Sequence, residues 1–338
     1  MRIIFQIKHF CAMGLMMAAC TASAADIDKF LGRWALTIPG GRAGWLVVTD
    51  EGRYYDSMIL WGGGSVVDTA STYVDGDTLY VTREHRQTRK DTSGKRIKDH
   101  TFIETLSATV DGDTLNLTRR NPRSNGKGVT VERFTGKSIP DLPPRPNLSK
   151  VKFGKPVELF KKNSLEGWTM VNSGSKSAWS IENGVLINDP VQPEAGRHIR
   201  YGNLRTVGEY EDFRLTTDVS VDLHGNSGIY LRGIYEVQVM ESYGMFKDPH
   251  HMGAVYSRIT PSEAVERAPG KWQTLDITLV DRHITVILNG TKIIDNEPLL
   301  GCTGGALWSN EFRPGPLYLQ GDHSAVKYRN MVLTPVVN

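Results

Sequence analysis

The sequence predicts an all-β protein of two domains, and three observations carry that prediction. Strand-like runs alternate with turn residues along most of the chain. No window holds the 3.6-residue apolar spacing of a long amphipathic helix. Pro140, Pro143, Pro144 and Pro146 fall close together near the middle. Such a run lacks amide donors and stiffens the backbone, so it reads as a linker at 138–150. It separates a first domain at 25–137 from a second at 151–338. The 338 residues are 39% hydrophobic, enough to build a core in each.

Residues 1–24 have the layout of a secretory leader. Arg2 and Lys8 form a positive start, the apolar stretch from Phe10 to Ala19 is too short to span a bilayer, and Ala22-Ser23-Ala24 is a small-residue cleavage site. A second reading competes with cleavage after Ala24. Ala18-Ala19 directly before Cys20 is the layout of a lipid-modified cysteine, which would anchor the mature chain. Both readings predict export, to the periplasm or outside the cell, without a transmembrane helix. Cys11 and Cys20 lie in this leader, which leaves Cys302 as the cysteine of the folded part. No disulfide framework is therefore expected, and Cys302 reads as a small core residue. The formal net charge is +3, and removing Arg2 and Lys8 leaves +1. The remaining Lys and Arg are scattered rather than grouped, so nucleic acid is excluded as a partner.

The first domain predicts a small antiparallel β-barrel or sandwich of six to eight strands. Gly44 to Val48, Tyr54 to Leu60 and Thr72 to Arg83 are strand-like. A short repeat, Tyr73-Val74-Asp75-Gly76-Asp77-Thr78-Leu79 and Thr109-Val110-Asp111-Gly112-Asp113-Thr114-Leu115, marks two hairpin turns, since Gly supplies the positive φ of a tight turn. A calcium loop fails here because the acidic ligands are too few and no twelve-residue loop ends in Glu. The charged run from Arg83 to Lys98 reads as a solvated hairpin tip.

The second domain predicts a two-sheet sandwich. Asn183-Gly184 and Asn289-Gly290 each sit between β-rich arms, Phe213 to Val221 alternates with period two, and Tyr328 to Val336 closes the chain as a strand. In Asn226-Ser227-Gly228-Ile229-Tyr230-Leu231-Arg232, alternation puts Asn226, Gly228, Tyr230 and Arg232 on one face and Ser227, Ile229 and Leu231 on the other. In the next strand Glu236 and Gln238 oppose the core residues Val237 and Val239. If the two strands are neighbours, Tyr230, Arg232, Glu236 and Gln238 form a polar cluster on the open face of the sandwich. The competing reading is a solvated face on which Arg232 and Glu236 pair at little energetic gain. His250 and His251 lie in a following loop, and His323 is a candidate acid or base because its ordinary pKa is near neutrality. No metalloprotease His/Glu spacing, Gly-x-Ser-x-Gly elbow or dinucleotide fingerprint is present. Nor does this strand carry the carboxylate pair of a retaining glycosidase, since Glu236 has Gln238 and Met240 at the same-face positions and Glu241 points the other way.

From about Val157 to Val336 the chain resembles the 3-keto-disaccharide hydrolase domain family. The matching pieces include Leu165-Glu166-Gly167-Trp168, Trp179 to Leu186, Tyr210-Glu211-Asp212-Phe213, Asn226 to Arg232, Tyr235 to Val239, Gly253-Ala254-Val255-Tyr256, Leu288-Asn289-Gly290, Leu319-Gln320 and Tyr328-Arg329-Asn330-Met331. Departures are Lys271-Trp272-Gln273 and the insertion-like segment Trp308 to Pro316. The resemblance implies a concanavalin-like jelly roll and cleavage of sugars already oxidised at C3. A C3 ketone acidifies the C2 hydrogen, so one base removes it, the C1 substituent leaves, and water adds. Under that implication Glu236 or His323 is the base, and Arg232 or a bound divalent metal stabilises the enolate. Asn226, Tyr230, Gln238, Tyr256, Gln320 and His250 hold the carbohydrate. Competing readings are a non-catalytic carbohydrate-binding module, an ordinary glycoside hydrolase and a scaffold protein that uses the first domain.

Overall fold

The computed structural model describes residues 27–160, 164–194 and 196–337. The leader, with Cys11, Cys20 and the cleavage site after Ala24, lies outside these residues. Among the described residues the chain is all β, and its helical structure consists of two 3-10 turns, Asp28–Phe30 and Leu148–Lys150.

The first domain is one antiparallel sheet of nine strands, more than the six to eight expected. The chain enters in the middle of it. Gly32–Ile38 lies between Arg42–Asp50 and the last strand, Val129–Ile139. The two edge strands, Val67–Asp68 and Ser71–Asp75, are consecutive in sequence, so the sheet must curl to bring its edges together. Ser57 and Thr72 meet across that seam, Oγ to Oγ1 at 2.6 Å. The interior holds Phe30, Trp34, Leu36, Leu46, Ile59, Leu79, Leu106 and Leu115. Both repeat copies are two-residue hairpins, with Asp75 paired to Thr78 and Asp111 to Thr114. Gly76 and Gly112 take φ of 56° and 58° at the first central position, where an L side chain would be strained. The final strand runs to Ile139, past the expected boundary at 137.

The second domain is a sandwich of two antiparallel sheets. The larger runs Trp179–Glu182, Val185–Asn188, Val326–Val337, Phe213–Val221, Gln273–Val280, His283–Leu288, Thr291–Pro298, with Lys152–Phe153 and Val157–Glu158 also paired to Val326–Val337. The smaller runs Trp168–Met170, Leu204–Thr206, Tyr318–Leu319, Asn226–Leu231, Tyr235–Met240. Phe213, Leu215, Val219, Leu275, Ile277 and Leu279 from the larger sheet share one apolar cluster with Ile229, Leu231, Val237 and Val239 from the smaller. Because side chains alternate along a strand, burying that set turns Gly228, Tyr230, Glu236 and Gln238 away from the core. The site sits on that outer face.

The two domains share apolar packing. Ala43, Trp45, Leu60 and Ile139 belong to the same buried cluster as the sandwich core. Trp45 carries the contact. The Arg258 guanidinium lies 4.1 Å from its ring centre, and a side chain at Gly301 would overlap its indole. Trp45→Ala should therefore cost about 3–5 kcal/mol and uncouple the domains. Differential scanning calorimetry should show a single transition for the parent protein and two for the variant; one unshifted transition in both would contradict this.

Candidate functional site

The site begins with a register. Asn226–Leu231 and Tyr235–Met240 are antiparallel neighbours that pair Tyr230 with Glu236, Gly228 with Gln238 and Asn226 with Met240. The turn between them makes the pairing local, and the alternation that buries Ile229 and Val237 puts Tyr230 and Glu236 side by side on the other face. A cavity of about 270 Å³ opens over this face. Asn226, Tyr230, Glu236, Gln238, Tyr256, Gln320 and His323 line it together with Gly63, Gly64, Gly304 and Gly305. Seven of the nine expected site residues thus converge.

The face is not open, contrary to the sequence expectation. Tyr230, Glu236 and Gln238 are 1%, 3% and 2% exposed. The loop carrying Gly304 and Gly305 crosses over them, and Gly63 and Gly64 reach in from the first domain. Gly228 makes the room that Glu236 needs, since a Cβ there would overlap Glu236 Oε1. The sequence placed that glycine where something must approach, and what approaches is the neighbouring strand's own carboxyl.

Burial sets the protonation of Glu236. Taking a carboxylate out of water disfavours its charge, and the Glu236 pKa is raised to about 8, partly opposed by the Tyr230 hydrogen bond. The Tyr230 hydroxyl lies 2.7 Å from Glu236 Oε2 and 2.7 Å from the Gly304 carbonyl oxygen. A hydroxyl has one proton and cannot donate to both. When Tyr230 donates to Gly304, Glu236 must carry a proton and donate in turn. When Glu236 is ionised, Tyr230 donates to it. Burial also pushes the Tyr230 and Tyr318 phenols well above their ordinary value, so both stay protonated. Their rings stack at 3.8 Å, and Tyr318 donates to the Gly305 carbonyl at 2.7 Å.

The remaining lining is suited to hydroxyl groups. Gln238 Nε2 donates to Asn226 Oδ1 at 2.9 Å, while the buried amide oxygens Gln238 Oε1 and Gln320 Oε1 have no protein partner. Unmatched buried acceptors are costly, and these two can accept from water or from a ligand hydroxyl. His323 stands at the rim, about half exposed, with Nε2 3.9 Å from Asp322 Oδ1. Among the described residues, no three of His, Cys, Asp or Glu come together as metal ligands. Glu236 and His323 are, among the described residues, the only such side chains lining the cavity. This donor set does not supply the three such ligands of a zinc site.

Two expected residues lie elsewhere. Arg232 does not face Glu236. Its φ of 53° places it in the turn, where strand alternation no longer applies. Its guanidinium donates to the carbonyl oxygens of Glu311 at 2.7 Å and Arg313 at 2.6 Å. The insertion-like segment is thus what Arg232 holds, and it stabilises no enolate in this cavity. His250 is outside the lining. Its Nδ1 meets Asp248 Oδ1 at 2.6 Å, its Nε2 meets Ser65 Oγ at 2.8 Å, and its ring packs edge-on against Tyr256. Cys302 is buried and its thiol is pushed up to about 12, in keeping with a core residue. Sequence reading missed Tyr318 and the glycines at 63, 64, 304 and 305. The glycines stand in the visible runs Gly62-Gly63-Gly64 and Gly304-Gly305, which sequence alone reads as turns.

The model of the 3-keto-alpha-glucoside-1,2-lyase-like domain matches residues 155–334. No curated protein matches the chain. Among solved structures, a presumed glycosyl hydrolase from Parabacteroides distasonis ATCC 8503 is 25% identical, covering 58% of this chain and 93% of its own, with a TM-score of 0.44. The carbohydrate-binding module CBM66 from Bacillus subtilis is 15% identical, covering 49% and 93%, with a TM-score of 0.32. A family GH16 endo-beta-1,3(4)-glucanase, SCLam, is 12% identical, covering 57% and 97%, with a TM-score of 0.37.

Replacing Tyr230 by Phe removes the donor that favours ionised Glu236. Carbon-detected NMR titration of labelled Glu should then show its pKa moving above the parent value of about 8. Movement toward the ordinary carboxylate range would show that Tyr230 does not act on this carboxyl.

Proposed function

Because the chain belongs to the 3-keto-alpha-glucoside-1,2-lyase-like domain family, we propose that this carbohydrate-active protein cleaves glycosides already oxidised at C3, with Glu236 as the base. The observation that carries this reading is the lone buried carboxyl. Among the described residues, Glu236 is the one carboxylate lining the cavity. Hydrolysis by the two-carboxylate routes needs a second one about 5 to 9 Å away. Elimination beside a ketone needs only one base.

In this reading Glu236 takes the C2 proton and the electron pair passes into an enolate with O3. The pair returns to form the C1–C2 double bond as the C1–O bond breaks. The departing oxygen takes a proton, for which His323 at the rim is the titratable group at hand. Water then adds across the double bond, so the sum of the steps is hydrolysis. A carboxylate with a pKa near 8 is a stronger base than an ordinary one, which suits removal of a weakly acidic carbon-bound hydrogen. Once Glu236 has taken the C2 proton it no longer needs the Tyr230 hydroxyl, which burial holds protonated and which then turns to the enolate oxygen in the place first expected of Arg232. Gln238 Oε1 and Gln320 Oε1 accept from sugar hydroxyls.

The first test is turnover of a 3-keto-disaccharide beside its unoxidised parent. Release of both sugars from the oxidised substrate alone is expected. Cleavage of the parent would mean an ordinary hydrolase, and binding of either without cleavage would mean a binding module. The pH profile has a defined sign. Glu236 holds its proton below about 8, so kcat/KM should rise with pH until that value is passed. Glu236→Gln should lower kcat by about 10²–10⁴-fold while the fold persists.

Stability supplies a separate check. The folded state binds a proton that the unfolded chain releases near the ordinary carboxylate value, so stability falls as pH rises from there through about 8. The neutral amide of Glu236→Gln escapes that loss. Its melting temperature at pH 9 should equal or exceed that of the parent, and a lower one would show that the carboxyl is structural.

A further inference from the structure

The family match begins at residue 155, yet part of the cavity wall comes from residues 63 and 64. We infer that the first domain sets substrate size, by closing one side of the site so that it admits a terminal or lone keto-sugar ring and refuses an interior ring of a longer chain. This rests on the proposed function for the identity of the sugar.

The wall is fastened at three points. Gly305 N donates to the Gly62 carbonyl at 2.9 Å, Val66 N donates to Ser257 Oγ at 2.9 Å, and Ser65 Oγ meets His250 Nε2 at 2.8 Å. The last bond has a direction. With Asp248 at 2.6 Å from Nδ1, a neutral ring keeps its proton there and Nε2 accepts from Ser65. Between the fastenings the two backbones touch. A side chain at Gly304 would overlap the backbone of Gly64, so the seam closes only because glycine stands there. An outer face of a jelly roll, left alone, is a groove open at both ends. Closed on one side, it becomes a cavity of about 270 Å³. That is slightly below the about 300–1,000 Å³ of ordinary small-ligand sites. One ring fits such a space, with its aglycone leaving through the mouth. A ring substituted on both sides would have to pass through the Gly62–Ser65 segment.

Two variants in the full chain move this wall in opposite directions. Ser65→Ala removes one fastening and loosens it. Gly63→Phe narrows the opening, and position 63 tolerates a side chain because its φ is not positive and a Cβ there meets no atom within 4 Å. The probes are a methyl 3-keto-glucoside and a 3-keto-glucoside carrying a further sugar at C4. The readout is the ratio of their kcat/KM values. Ser65→Ala should shift that ratio about tenfold toward the C4-substituted probe, and Gly63→Phe should shift it away by a similar factor. An unchanged ratio in both would overturn the inference.

A readout without substrate separates this inference from the proposed chemistry. In the parent protein the Gly305 amide should be protected from hydrogen exchange, and Ser65→Ala should speed its exchange about tenfold. If that acceleration appears while no keto-sugar is cleaved, the wall stands and the proposed reaction falls. If the oxidised disaccharide is cleaved but neither the exchange rate nor the ratio responds, the reaction stands and the wall falls.

Discussion

The single donor of the Tyr230 hydroxyl, contested by two acceptors, governs this site. Glu236 Oε2 and the Gly304 carbonyl both lie 2.7 Å from the Tyr230 hydroxyl, which can serve only one of them as donor. Everything around that hydroxyl is arranged to keep water from resolving the conflict. The strand register sets Tyr230 opposite Glu236, Gly228 leaves room for the carboxyl, and Tyr318 covers the Tyr230 ring. Excluded from water, the carboxyl keeps its proton at neutral pH and Tyr230 turns to Gly304. Once the carboxyl ionises, Tyr230 turns back and the Gly304 carbonyl loses its donor. The protonation state of one buried group is thereby tied to the loop that roofs the cavity.

That coupling explains why the roof and the floor come from distant parts of the chain. The floor is a hairpin with local contacts, while the roof, Gly304 and Gly305, is held by Tyr230, Tyr318 and the Gly62 carbonyl. The roof has little apolar surface of its own. It is kept in place by hydrogen bonds to a rigid sandwich on one side and to a first domain on the other. The apolar contact of Trp45, Ala43, Leu60 and Ile139 with the sandwich core fixes that first domain. Burial at the domain interface is nondirectional and strong, and the hydrogen bonds at the seam are directional and individually modest. The first supplies the energy and the second the register.

Much of this was legible in the sequence, for a physical reason. Asn183-Gly184 and Asn289-Gly290 adopt positive φ at both central positions, as tight hairpins require, and period-two alternation sorted Ile229 and Val237 from Tyr230 and Glu236. These are local rules. Arg232 shows where they end. Counting alternation one residue too far put it on the site face, but the strand stops at Leu231 and the left-handed backbone of Arg232 sends its side chain to the carbonyls of Glu311 and Arg313. The burial of the whole face was not legible either. It depends on glycines near 63 meeting glycines near 304, and a glycine run in a sequence carries no sign of its distant partner. His250 failed for the same reason, since the group that holds it, Ser65, belongs to another domain.

A buried carboxyl with a raised pKa is a liability to the fold, and its surroundings show how the liability is contained. A structural role would have favoured pairing Glu236 with a cation, yet among the described residues it forms no salt bridge, and Arg232 is committed to main-chain carbonyls. The chain does pair a buried carboxylate elsewhere. Glu104, fully buried in the first domain, has Arg83 at 3.0 Å and Arg119 on its other oxygen. The same chain thus treats two buried carboxyls in opposite ways. At Glu104 it supplies two guanidinium partners, as a structural ion pair does. At Glu236 it supplies a phenol and a glycine, which leave the proton loosely committed. Glu311 is likewise buried, raised in pKa and hydrogen-bonded by Tyr235 at 2.8 Å, but it lies outside the cavity lining, so what marks Glu236 as the candidate base is an unpaired carboxyl together with its place in the cavity.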